Sequence, residues 1–265
     1  MNTERGGTVA GNWKDRRMTI VKTVDWFDGF SRNDIAVIRR PTLRLIIAPP
    51  FTAIHAARQQ IEKYPLLKQL FLEERLSFAA QDIPPFEDEK VRFTGEVHPD
   101  LLRDPDLGVR YVIVGHSERR NSFNETDKTI RNKLKMTVAH GLVPILCVGE
   151  RLDEYEGGKT KDIIQGQLDA LGELTDNQRE VAIVAYEPVW AIGTGKTANP
   201  DVANDICRFI RETSGAGTVV YGGSLTPEIA PGFFKQSDID GGLPGGASER
   251  QDSFFSIARA AANLL

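Results

Sequence analysis

Residues 111–120 read YVIVGHSERR. An apolar, β-branched run ends at Val114, and Gly115, His116, Ser117, Glu118, Arg119 and Arg120 follow at once. The run has the composition of a buried strand, and the polar block after it has no place in a core. The same alternation recurs outward in both directions. Runs of this kind begin near Thr8, Leu43, Ser77, Tyr111, Val143, Val181, Val219 and Gly241, at spacings of 35, 34, 34, 32, 38, 38 and 22 residues. Between them lie helical stripes: Ile130, Leu134 and Val138; Ile163, Ile164, Leu168 and Leu171; Val202, Ile206, Phe209 and Ile210. Asn199-Pro200 and Thr226-Pro227 each read as an N-cap followed by proline in the first helical turn. Repeated βα units of this length predict an α/β chain with a parallel sheet. Eight strands suit a closed (β/α)8 barrel, with an open, doubly wound sheet as the alternative.

The chain has 265 residues, enough for a single barrel domain over 1–265, and no linker interrupts it. The stretch Pro84 to Lys90 reads as a long βα loop. With 33 Lys and Arg against 37 Asp and Glu, the net charge of -4 gives no footprint for nucleic acid. Two cysteines, Cys147 and Cys207, are too few for a disulfide framework. The most apolar stretch, Leu45 to Phe51, holds two prolines and is too short to cross a membrane. A cytoplasmic location is expected. His55, His98, His116 and His140 show no paired spacing, so no metal site is expected.

In a barrel, the residues after each strand build the site. The first strand offers Asn12, Trp13 and Lys14, and the fourth offers His116 and Glu118. The sixth offers Glu187 and the stretch Pro188 to Ala198, which reads as a lid. The last two offer Gly222-Gly223-Ser224 and Gly245-Gly246. Each has an ordinary reading: Lys14 as a solvated cation, His116 as a hydrogen-bonded core histidine, Glu187 as an ion-pair partner, each glycine pair as a tight turn. Their collection at one edge favours a site. Glycine pairs at that edge admit backbone amides to an anion. Two familiar motifs fail. Gly115 to Arg119 lacks the closing glycine of a nucleophile elbow, which discounts Ser117 as a nucleophile. Gly195-Lys196-Thr197 lacks both the upstream glycine and the immediate helix of a nucleotide P-loop.

Taken together and in order, Gly11-Asn12-Trp13-Lys14, Thr94-Gly95-Glu96, Tyr111 to Arg120, Ala185 to Ala198, Tyr221 to Ser224 and Gly245 to Ser248 resemble the triosephosphate isomerases over nearly the whole chain. The resemblance implies a TIM barrel that interconverts dihydroxyacetone phosphate and glyceraldehyde 3-phosphate without a cofactor. It implies Glu187 as the base, neutral His116 as the electrophile and Lys14 as the charge stabiliser. Asn12 would orient substrate and Glu118 would support the site. The amides of Gly193, Ser224, Gly245 and Gly246 would hold phosphate. The neutral state of the imidazole and the closing of the lid over substrate come with the resemblance. A homodimer through the loop around Gln81 to Glu96 is implied as well.

The chain also departs from the family pattern. Asp15-Arg16 follows Lys14, Asp82 stands in place of an asparagine after Gln81, and Pro244 stands in place of a valine on the eighth strand. Pro244 and Asp15 lean towards a paralogue acting on a larger ketose phosphate, such as a tetrulose phosphate. A non-catalytic phosphate-binding scaffold is the alternative from another class.

Overall fold

Eight parallel strands pair in chain order and close on themselves: β1 (Gly7–Asn12), β2 (Leu43–Ala48), β3 (Leu76–Ala80), β4 (Val109–Val114), β5 (Val143–Val148), β6 (Ile183–Tyr186), β7 (Thr218–Tyr221) and β8 (Gly241–Gly242). The structure is a computed structural model that describes residues 6–15, 19–29, 40–86, 93–192 and 197–264. The expected (β/α)8 barrel is therefore the fold, and the open sheet is excluded.

Strand alternation divides the apolar residues between two cores. Ala10, Ile46, Ala79, Tyr111, Ile113, Ile145, Cys147, Ile183, Ala185, Val220 and Leu243 pack together inside the barrel. Their neighbours in sequence, among them Val9, Leu45, Phe78, Val112, Leu146, Val184 and Val219, pack outward beneath the helices. Both faces are buried, which is why the strands read as continuous apolar runs. The helical stripes face the outer core. Ile130 and Leu134 are fully buried on Asp127–Ala139, and Ile206 and Ile210 are buried on Pro200–Ser214. The Asn199 side chain accepts the Asp201 amide at 2.8 Å, with Pro200 in the first turn, as expected.

Two boundaries differ from expectation. Val181 ends the helix Asp176–Val181 and is 55% exposed, so β6 begins two residues later. A reciprocal cap between Thr175 and Gln178 starts that helix, and the chain leaves it only at Ala182, whose N–H still reaches back to Gln178 and Arg179. Thr226-Pro227 opens a turn rather than a helix, and the helix starts at Ala230, whose N–H returns to the Thr226 carbonyl at 3.0 Å.

Pro244 does not break the barrel. The Leu243 N–H bonds the Tyr221 carbonyl at 2.8 Å, and the Pro244 carbonyl accepts the Asn12 N–H at 2.9 Å. Proline costs β8 one donor, and the regular β8 ladder is two residues long. Among the described residues no helix is long and apolar enough to cross a membrane.

Candidate active site

Alternation decides which side chains reach the barrel mouth. Ile183 and Ala185 point inward on β6, so Glu187 arrives inward one step beyond the strand. Ala10 points inward on β1, so Asn12 does too, while Trp13 turns outward and is buried against Trp26 and Phe27 at centroid distances of 5.2 and 6.5 Å. On β4 the alternation is broken deliberately. Gly115 has φ of +73°, a conformation open to glycine, and His116 follows as the N-cap of the short helix Ser117–Ser122.

Glu187 is 2% exposed. Its Oε2 accepts the Ser117 backbone N–H at 3.0 Å, and its Oε1 lies 3.2 Å from His116 Nε2, outside good hydrogen-bond alignment. Nδ1 of the same imidazole accepts the Glu118 N–H at 3.2 Å. An acceptor nitrogen carries no proton, so this contact places the imidazole proton on Nε2, facing Glu187. Lys14 Nζ reaches Glu118 Oε1 at 2.5 Å, and Glu118 Oε2 lies 3.5 Å from His116 Nδ1. Glu118 thus joins the ammonium and the imidazole.

Lys14 itself sits at φ of +53°, a left-handed conformation that costs a non-glycine residue about 1–3 kcal/mol unless its surroundings fix it. They do. Its N–H donates to Asn12 Oδ1 at 3.0 Å, and its carbonyl accepts from Gln81 Nε2 at 2.8 Å; the same Gln81 amide donates to the Ala48 carbonyl at 2.9 Å. Gln81, expected only at an interface, is therefore also what locks the cation. Its separation of 67 residues from Lys14 left no local signal.

The opposite wall is made of the two glycine turns. Asn12, Lys14, His116, Glu118, Ser224, Gly245 and Gly246 line one cleft of about 450 Å³, joined by Asp15, Gly222, Gly223 and Leu243. Ser224 Oγ donates to the Ala191 carbonyl at 2.7 Å, so the hydroxyl is committed to the turn after Glu187. Gly193 lies outside the described residues. A larger hollow of about 860 Å³ lies at the other end of the barrel, lined by Leu168, Arg179 and Glu212 among others, and contains none of these groups. Size does not locate the site; the converging polar groups do.

Glu187 is also held by what its neighbours lack. A Cβ on Gly149 would lie 1.7 Å from the Glu187 carbonyl oxygen, and one on Gly222 would lie 2.9 Å from Glu187 Cγ. At Gly222 the atom that must yield is the carboxylate arm itself. Gly222→Ala is therefore expected to lower kcat by about tenfold or more with a smaller change in KM, measured by steady-state kinetics beside a thermal melt that verifies folding.

Two buried clusters surround the site. Lys133, 2% exposed, bonds Asp82 Oδ1 and, at 2.5 Å, Glu125 Oε1. Arg119 bonds the same two acids, at 2.8 Å to Asp82 and 2.5 Å to Glu125. Burial pushes the Asp82 carboxyl above its ordinary range, opposed first by Lys133. The departure from the family's asparagine is thus absorbed by two cations. Beneath the turn after Glu187, Glu150 is fully buried. Its Oε1 accepts Trp190 Nε1–H at 2.8 Å and the Tyr186 hydroxyl at 3.2 Å, and burial raises its pKa. Cys147, also buried, has its thiol pushed well up by burial and then by the charge of Glu187.

This geometry meets the comparisons with known proteins. The sequence model of the family described as Triosephosphate isomerase matches residues 7–261. Proteins named triosephosphate isomerase are similar along their length. That of Mycoplasmopsis pulmonis is 40% identical over 94% of this chain and 95% of its own. That of Fusobacterium nucleatum is 39% identical over 95% and 97%, and that of Carboxydothermus hydrogenoformans 41% identical over 95% and 97%. With the barrel, the inward carboxylate and the capped imidazole in place, this full-length match shows that the chain belongs to the triosephosphate isomerase family.

Proposed function

We propose that the protein interconverts dihydroxyacetone phosphate and glyceraldehyde 3-phosphate through an enediolate, with Glu187 as base and His116 as electrophile. The carrying observation is the face-to-face placement of Glu187 Oε1 and His116 Nε2 at 3.2 Å, with Nδ1 capped by an amide. A carbonyl compound in the cleft meets the two side by side, a carboxylate for its C–H and an N–H donor for its oxygen. Glu187 removes the proton from the carbon beside the carbonyl, and the C–H electron pair becomes the enediolate double bond as the carbonyl pair moves to oxygen. His116 Nε2–H gives its proton to that oxygen while Lys14 offsets the developing charge, and the imidazole then takes the proton of the neighbouring hydroxyl, so that one oxygen gains the proton the other loses. Glu187 returns the proton to the adjacent carbon, so base and imidazole end as they began. The amides of Ser224, Gly245 and Gly246, with Gly193 from the family pattern, serve the phosphate, and Asn12 orients the sugar. The net rearrangement consumes no electrons and requires no cofactor.

Support for the triose over a larger ketose phosphate comes from the relatives' shared name. Nothing in the cleft favours the tetrulose reading: Asp15 is an exposed residue at the rim, and Pro244 leaves the Asn12 backbone bond intact. The retained base and electrophile speak against a non-catalytic scaffold. The proposal includes a single domain, a cytoplasmic location and a homodimer through the Gln81 to Glu96 loop. Exposed rings around that loop support the dimer. Phe86 and Phe93 meet at a centroid distance of 4.6 Å, and Phe123, 66% exposed, lies under Arg119 of the Asp82 cluster.

The test is a coupled assay in both directions with the two triose phosphates, and with a tetrulose phosphate as competitor, run in heavy water. Turnover of the triose, with higher kcat/KM than the tetrulose and solvent deuterium at the new C–H bond, supports the reading. Preference for the tetrulose overturns the substrate, and isomerisation undiminished in Glu187→Gln overturns the proton shuttle.

A further inference from the structure

Glu187 is followed after one residue by a tight turn, Val189–Ala191. Four contacts fasten it. The Val189 N–H donates to the Glu150 carbonyl at 3.0 Å, Trp190 Nε1–H donates to Glu150 Oε1 at 2.8 Å, and the Ala191 carbonyl accepts from Ser224 at 2.7 Å. The fourth is Tyr155, whose ring lies on the Trp190 ring at a centroid distance of 4.8 Å and an interplanar angle of 31°. Tyr155 has no part in the chemistry, and its hydroxyl makes no hydrogen bond among the described residues.

Its own support is tied at both ends. Tyr155 belongs to the five-residue helix Leu152–Glu156, closed by a capping box in which the Arg151 N–H donates to Glu154 Oε2 at 2.7 Å. The Lys159 N–H bonds the Glu154 carbonyl at 2.9 Å and ties off the far end. A ring on such a support covers the indole against solvent. Beneath it lies a carboxylate with one oxygen shared by two donors and the other buried without a hydrogen-bond partner among the described residues. Water admitted there would compete for Glu150 and weaken the indole bond, because the bond owes its strength to exclusion of solvent.

We propose that Tyr155 is a positioning residue for the isomerase reaction: its ring, stacked on Trp190, holds the turn that fixes Glu187. The inference rests on the proposed role of Glu187. It predicts a larger effect on kcat than on KM, because Ser224 meets the turn through its hydroxyl and offers the phosphate its backbone amide.

The test compares Tyr155→Ala, Tyr155→Leu and Tyr155→Phe in the full chain. In the alanine and leucine variants kcat should fall about three- to tenfold with KM within about twofold, the size of a lost ring stack carried into base placement. Tyr155→Phe should retain wild-type turnover. Trp13 and Trp26 are buried, so emission from Trp190 should shift to longer wavelength and become open to acrylamide in the alanine variant alone of the alanine and phenylalanine pair. Unchanged turnover and emission in Tyr155→Ala, or an equal loss in Tyr155→Phe, overturns the proposal. Wild-type enzyme without triose isomerase activity, or with activity insensitive to Glu187, overturns the underlying reading instead. If the alanine variant melts early, the leucine variant decides by the same kcat and KM split.

Discussion

Replacing Glu187 with Asp should cut kcat by about a hundredfold or more while KM stays within a few fold. The shorter side chain withdraws the carboxylate by one C–C bond, and proton transfer between positioned groups falls steeply over displacements near 1 Å. Nothing nearby can compensate. The carboxylate is 2% exposed, the Ser117 amide fixes one oxygen, and Gly149 and Gly222 leave no slack in the backbone on either side. The phosphate wall stays in place, so binding should persist and the loss should appear in turnover. Inhibition by inorganic phosphate, measured beside the kinetics, reports that wall directly. Undiminished kcat in the variant would remove Glu187 from the chemistry.

The second large effect concerns stability. Lys133→Met should lower the unfolding free energy at neutral pH by about 3–5 kcal/mol, because it strips the central cation from the buried Glu125 and the largely buried Asp82. Asp82 and Glu125 would then share Arg119 alone. The pH dependence has a definite sign. Burial already holds the Asp82 pKa above its ordinary 3.8, so its ionisation opposes folding, and stability from this group declines as pH rises through that window. Removing Lys133 removes the largest opposing influence and raises it further. The deficit should therefore be largest near neutrality and shrink as pH falls and Asp82 takes up a proton. Denaturant melts of both proteins across that range, at one protomer concentration, test this. A deficit that grows with acidity would contradict the assigned cluster.

The barrel and the main chemical groups were legible because both follow from short-range rules. Strand alternation carries Asn12 and Glu187 inward, and glycine at 115 resets the alternation for His116. What stayed hidden depends on groups far apart in sequence. The Ser117 amide meets Glu187 across 70 residues, and Gln81 meets Lys14 across 67. Ser117 was readable only as a failed nucleophile, since a backbone N–H leaves no mark in side-chain chemistry. Trp190 reads only as part of the lid stretch, whereas its partners Glu150 and Tyr155 arrive from the end of another strand. Val181 shows the opposite failure: a β-branched residue beside a strand, claimed by the helix before it.

The seam between first and last strands has a mechanical meaning. β1 pairs with β2 through six residues but with β8 through two, Thr8 with Gly241 and Val9 with Gly242, and β8 meets β7 at one. A cylinder fastened so unevenly has a preferred line of rupture. Transient breathing of the native protein should start along that stave, where the first and last strands meet, and leave the β4–β6 side, with its carboxylate and imidazole, still assembled.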